Sequence, residues 1–333
     1  MNIAIVNDLD IEIEAIKRII TSIGKYSILW VAKDGFEAIN LTHANKPDLI
    51  LMNLNMPKCD GVQATKEIMR DNPTPIIIVS SSLKLYQSKI FEAMALGALD
   101  VSTIPSDIDY SDLKNIDLVK KIEMIAKLTN KQSIDSGQLS PNAKGAKLVL
   151  IGASTGGPKV IAKILESLPN KINGSLTIVQ HLDAKFTNGM VEWLKNYTSI
   201  NINVVEFGTS IENNNIYVVG GDEHFQINSY NKFETVKATT TEHFIPSINI
   251  MFNSFANNYK NNGMAIILTG MGNDGTKGML SLKKKNWLTL AQDETSSVVY
   301  GMPKAAYESG AAKKTLNIEG LIYEINNYLK DGK

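Results

Sequence analysis

The chain has one cysteine, Cys59, among 333 residues, so an internal disulfide framework and a cysteine-based metal site are both excluded, as expected of a reducing compartment. Neither sign of charge is in excess: Lys plus Arg and Asp plus Glu number 34 each. A polyanionic partner such as nucleic acid therefore has no basic surplus to bind to. Long apolar runs are missing too, and nothing approaches the roughly 20 residues of a membrane helix. The opening MNIAIVNDLD reaches acidic residues at once and lacks the basic start of a signal peptide. A soluble cytoplasmic protein without membrane insertion is the expectation, and its length implies two domains.

What is present is a strand and helix rhythm. The Ile- and Val-rich runs at 2–6, 26–31, 48–52 and 76–80 are apolar on both faces, as buried parallel strands are. The stretches 9–23, 36–43, 61–70 and 85–96 between them have helical periodicity, which together predicts a doubly wound α/β sheet. A further amphipathic helix is expected over 112–128. The polar stretch 129–147, TNKQSIDSGQLSPNAKGAK, reads as a linker. The rhythm then restarts with runs at 147–151, 175–180 and 264–269. Between 201 and 238, short runs such as NIYVV and FQIN predict antiparallel strands at the edge of a mostly parallel sheet. The Asn residues there are compositional bias.

The stretch IGASTGG, Ile151–Gly157, joins a strand to a helix. A Walker-type loop needs Lys after its last glycine, but Pro158 stands there, and the glycines lack the G-x-G-x-x-G spacing of a dinucleotide site. A left-handed turn without chemistry is the ordinary reading of such a loop. Its company argues for more. Strand 175–180 runs into His181, and strand 264–269 into the loop GMGNDG, which carries Asp274. Parallel strands put their carboxyl ends on one edge, so Ser154, His181 and Asp274 converge as nucleophile, general base and orienting acid. The glycines let the backbone approach a substrate closely. The N–H of Thr155 is the natural first oxyanion donor, and a second comes from the Gly270, Met271, Gly272 loop; we assign it to Met271. Each such donor is typically worth about 3 kcal/mol in the transition state.

GASTGG at 152–157, QHL at 180–182, ILTGMGNDG at 267–275 and AQDETSSVVYGMPKAA at 291–306 together resemble the catalytic domain of the chemotaxis protein-glutamate methylesterases, the CheB family. The first half resembles that family's response-regulator receiver. The resemblance implies a five-stranded, flavodoxin-like receiver over 1–120, a helix and linker over 121–146, and an α/β methylesterase domain over 147–333 with a mostly parallel sheet and an antiparallel edge. It places the catalytic residues on Ser154, His181 and Asp274. It implies hydrolysis of glutamate methyl esters on chemoreceptors with release of methanol, deamidation of receptor glutamines, no metal or cofactor, and contact with the chemotaxis kinase. His43, on a helix that the receiver reading leaves solvated, and His224, in the β stretch 201–238, are not expected to take part, and 298–306 is expected to support the site. Where the family has a basic segment before PSV, this chain reads EHFIPSI, with Phe244 and Ile245 in place of polar groups and His243 beside them.

The receiver departs from its family. A receiver holds Mg²⁺ with an acidic pair after strand one and is phosphorylated on an aspartate after strand three. Here Asn7 stands in the pair beside Asp8, and Asn53 stands at the acceptor. An amide cannot supply the attacking carboxylate oxygen, so aspartyl phosphate cannot form at Asn53. Asn55 replaces an often acidic residue, and Ile104 stands where a lysine precedes the proline. Only Ser80, at the switch hydroxyl, remains with Asp8. A docking or inhibitory domain deaf to phosphodonors is expected. Two rival functions remain open at this level: a non-catalytic binder of chemoreceptors or kinase, and a nucleotide-binding module.

Overall fold

The computed structural model describes residues 1–81, 86–104, 116–126, 147–238 and 244–330. The expected linker over 129–146 and His243 lie outside the described residues. The chain divides into two compact units, Met1–Gln132 and Ser133–Lys333.

In the first unit the strands are Asn2–Val6 (β1), Ser27–Ala32 (β2), Leu49–Met52 (β3), Ile76–Ser80 (β4) and Asp100–Thr103 (β5). They alternate with helices Asp10–Ile23 (α1), Gly35–Ala44 (α2), Gly61–Asp71 (α3), Gln87–Leu96 (α4) and Asp117–Ala126 (α5). The sheet order is β2-β1-β3-β4-β5, every pairing parallel, which is the doubly wound flavodoxin-like order. β3 and β4 are buried along their whole length because helices cover both faces, and their continuous LILM and IIIVS runs follow from that. Leu118, Val119, Ile122 and Ile125 carry α5 into the core formed by β1, β3, β4 and α1. Asp34 and Asp60 cap α2 and α3 with their carboxylates, each accepting from the backbone N–H three residues on.

The second unit has strands Leu148–Ala153 (β6), Ser175–Gln180 (β7), Asn201–Val204 (β8), Asn215–Val219 (β9), His224–Ile227 (β10), Phe233–Val236 (β11), Met264–Ile267 (β12), Leu288–Gln292 (β13) and Lys314–Leu316 (β14). Its helices are Gly157–Glu166 (α6), Ala184–Leu194 (α7), Ile248–Asn258 (α8), Thr276–Lys284 (α9), Met302–Glu308 (α10) and Ile318–Leu329 (α11). Seven strands form one sheet in the order β14-β13-β12-β6-β7-β9-β8. The expected antiparallel pair is present, but it is β10 with β11 in a two-stranded sheet of its own. NIYVV, β9, pairs parallel with both β7 and β8. The physical reason is burial: Ile216 to Val219 are enclosed on both sides, as a strand inside a parallel sheet must be, and the flanking asparagines mimic the turn signals of a hairpin.

From β6 the sheet grows in one direction through β7 and in the other through β12. The chain's course reverses there, and the carboxyl ends of β6, β7 and β12 open onto one crevice. Among the described residues no helix is long and apolar enough to cross a membrane.

Candidate active site

Ser154 follows β6 directly. Its backbone N–H donates to the Thr269 carbonyl at 3.1 Å, tying it to the end of β12, and its carbonyl accepts from Gly157 N–H at 2.8 Å. The turn it begins needs glycine next: Gly156 has φ +77°, and a Cβ there would lie 2.8 Å from that of Val298. Ser154 is buried, 6% exposed. β6 and β7 are in register up to Ala153 opposite Gln180, so Ser154 and His181 are the next pair along, and His181 N–H donates to the Ala153 carbonyl at 3.0 Å.

His181 Nε2 lies 2.9 Å from Asp274 Oδ2. Asp274 is itself held by the start of α8. Its Oδ2 accepts from Ile248 N–H at 2.7 Å, and its Oδ1 from Asn249 N–H at 3.0 Å, Gly275 N–H at 2.9 Å and Ser247 Oγ at 3.1 Å. Burial by itself pushes the Asp274 carboxyl up. The His181 hydrogen bond and charge, with the α8 amides of Asn249 and Ile248, outweigh it and hold the group below the usual carboxylate range. A carboxylate there can only accept, so the hydrogen-bond network assigns the proton to Nε2 and leaves the lone pair on Nδ1. His181 Nδ1 is buried and has no hydrogen-bond partner among the described residues, Ser154 Oγ included. The imidazole thus carries an anchored donor on one side and an available base on the other. Phe244 lies flat on the ring, centroids 4.6 Å apart and planes 8° from parallel.

Of the two expected oxyanion residues, Thr155 follows Ser154 directly in the chain. Thr155 is buried, and its carbonyl accepts from Thr269 Oγ1 at 3.0 Å. Gly270, the residue before Met271, packs so closely that a Cβ there would come within 2.6 Å of Ser154 Cβ. That loop is fixed by the segment after β13: Gly270 N–H donates to Val299, and Gly270 carbonyl accepts from Gly301 and Met302 N–H. Residues 298–306 therefore support the loop, as expected. His224 is fully buried, and its Nδ1 accepts from Ser247 N–H at 2.9 Å, so it steadies the start of α8, while His43 is exposed near the end of α2.

Three contributors escaped the sequence. The amides of α8 that hold Asp274 have no side-chain signature, although Ser247 ahead of an apolar run is an N-cap signal. The stacking role of Phe244 and the hydrogen bonds of Gln180 depend on side-chain geometry that motif spacing does not encode.

In the first unit the polar pocket is satisfied internally. Asn7 is fully buried; its Nδ2 donates to Glu12 Oε2 at 2.7 Å and its Oδ1 accepts from Leu9 N–H at 2.9 Å. Glu12 also accepts from Ser81 Oγ. Asn53 Nδ2 points at Asp8 Oδ1, 3.2 Å away, and at the Asn55 carbonyl, 3.4 Å away. Ser80 is buried at the end of β4, Asn55 is exposed, and Ile104 is buried in the apolar core. This donor set does not suit Mg²⁺. Asn53 Nδ2 is directed at Asp8, the one carboxylate left of the expected pair, and no group of three or more His, Cys, Asp or Glu residues is placed to hold a metal among the described residues.

A family model described as CheB methylesterase matches residues 149–325, and one described as response regulator receiver domain matches residues 3–115. A protein of Burkholderia orbicola named protein-glutamate methylesterase/protein-glutamine glutaminase 2 is 38% identical, the match covering 98% of each chain. One of Burkholderia lata with the same name is 37% identical over 99% of this chain and the whole of the relative. Among solved structures, the CheB methylesterase catalytic domain of Thermotoga maritima is 30% identical, with a TM-score of 0.53, covering 56% of this chain and all of that one. With a strand-end serine, histidine and aspartate in the crevice and receiver topology ahead of it, this chain belongs to the CheB methylesterase family.

Proposed function

We propose that this protein hydrolyses glutamate methyl esters on chemoreceptors, with methanol released, and deamidates receptor glutamines in the same site, with ammonia released. It acts in the cytoplasm during chemotaxis adaptation. The observation that carries this reading is the pair of hydrogen-bonding states on His181: Nε2 anchored to Asp274, Nδ1 buried and open one register step from Ser154.

Nδ1 takes the Ser154 proton as Oγ attacks the ester carbonyl. Thr155 and Met271 N–H groups receive the oxyanion, where donors in a water-excluded site cost no reorganisation. The imidazolium then gives its proton to the departing methoxide oxygen, and methanol leaves an acyl-Ser154. Water, deprotonated by Nδ1, attacks the acyl carbonyl and returns free Ser154 and the receptor carboxylate. Asp274 stays ionised throughout and balances the imidazolium. No step calls for a metal or cofactor. The first unit docks or restrains and receives no phosphoryl group, since Asn53 has no carboxylate to offer.

The test is methanol release from radiolabelled methylated receptor membranes by the full-length protein, with Ser154→Ala as blank. A rate well above the blank is expected. Equal rates would leave only a receptor-binding protein.

A further inference from the structure

Gln180 is buried at the last position of β7, yet the reaction as written gives it no task. Its carboxamide nitrogen has two hydrogens, and it lies 2.9 Å from the Ser154 carbonyl and 3.2 Å from the His181 carbonyl. One side chain is thus bonded to the backbones of both the nucleophile and the base. Its own oxygen, Oε1, is buried without a partner. An orphaned acceptor is costly, and turning the amide over would point that oxygen at two carbonyls, which is worse. The arrangement also accounts for Gly157: a Cβ at that position would lie 2.4 Å from Oε1.

We infer that Gln180 is a positioning residue that aims the oxyanion donor. The Ser154 carbonyl and the Thr155 N–H belong to one peptide unit. In a planar trans peptide these two groups point in opposite directions. With the carbonyl held by Gln180 Nε2 and Gly157 N–H, the Thr155 N–H is turned the other way, out of the α6 side. Gly157 N–H and Gln180 Nε2 approach the carbonyl as two donors, so its direction is set by both. This inference rests on the reading of Ser154 as nucleophile and Thr155 as oxyanion donor.

The experiment compares full-length wild type with Gln180→Met on a receptor peptide carrying a glutamate methyl ester and on its thiono ester, in which sulfur replaces the carbonyl oxygen. An oxyanion hole favours oxygen, so the ratio of the two rates reports the hole itself. For Gln180→Met we expect kcat on the oxygen ester to fall about 100-fold with KM nearly unchanged, while the thiono ester loses less than about 10-fold. Gln180→Glu, which keeps the shape and loses the donor pair, replaces it if the methionine variant does not fold. A Ser154-dependent wild type whose oxygen-to-thiono ratio is unmoved by the substitution overturns the role of Gln180 alone. A wild type inactive on both esters overturns the reading of the triad, and this inference with it.

Discussion

Asp274 shows how one carboxylate serves folding and chemistry together. It accepts from His181 Nε2, from Ser247 Oγ and from three backbone N–H groups, two of them at the start of α8, where a negative charge is favoured by the helix dipole. Asp274→Asn would turn an amide toward those donors and take the negative charge from behind the imidazole. Turnover should fall by a factor of order 10³ to 10⁴ in a single-turnover assay. The stability effect has a definite sign. The folded carboxyl sits below its ordinary value, so its contribution is complete above the unfolded pKa, near pH 4, and is lost as pH falls through the folded value. Melting temperatures should therefore separate wild type from Asp274→Asn at neutral pH and converge in acid. That Ser154, His181 and Asp274 come together was legible in the sequence because strand ends of a parallel sheet share an edge. The partners of Asp274 were not, because backbone amides look alike at every position, and only the fold decides which of them converge.

The junction of β1 and α1 makes a related point for elements. A fully buried Asn7 ends the strand and a buried Glu12 lies in the first turns of the helix, joined by a 2.7 Å hydrogen bond. The sequence presents Asn7 as the loss of an acidic residue. The structure presents it as the partner that Glu12 requires, since two carboxylates at that separation cannot both ionise. Asn7→Asp should cost about 2 kcal/mol in denaturant unfolding at neutral pH, and Glu12→Gln added to it should recover most of that. The shared proton raises a carboxyl pKa in the folded state, so the single variant should regain stability as pH falls. Glu12 was not legible as a pocket residue: a charged side chain in a helix reads as solvated until the helix is docked. β9 was misjudged for a similar reason, since alternation and flanking asparagines describe a strand's ends and its neighbours decide whether both faces are covered.

Over the whole molecule, the two units match different family models, a receiver domain over 3–115 and a methylesterase over 149–325. The crevice at β6, β7 and β12 brings together Ser154, His181 and Asp274, the side chains that the proposed acyl transfer calls for. The pocket above β1, β3 and β4 holds amides at Asn7 and Asn53 and hydrocarbon at Ile104, where the receiver resemblance leads one to expect charge. These changes reinforce one another. In the proposed reading Asn53 alone removes the phosphoryl acceptor, and the hydrogen bond from Asn53 Nδ2 to Asp8, the Asn7 to Glu12 pair and Ile104 in place of a lysine leave neither a metal site nor a cation to balance a phosphoryl group. Returning a carboxylate at one position should therefore restore nothing. Incubated with Mg²⁺ and a small phosphodonor such as acetyl phosphate, wild type and Asn53→Asp should both keep their unmodified mass, and methanol release should not change. Phosphate on Asn53→Asp would mean that a single carboxylate beside Asp8 suffices to gather Mg²⁺, and that the pocket is one substitution from function. Phosphate on the wild type, with a rise in turnover, would place the acceptor on Asp8 or another acidic residue and return the first unit to the role of a phosphorylation switch.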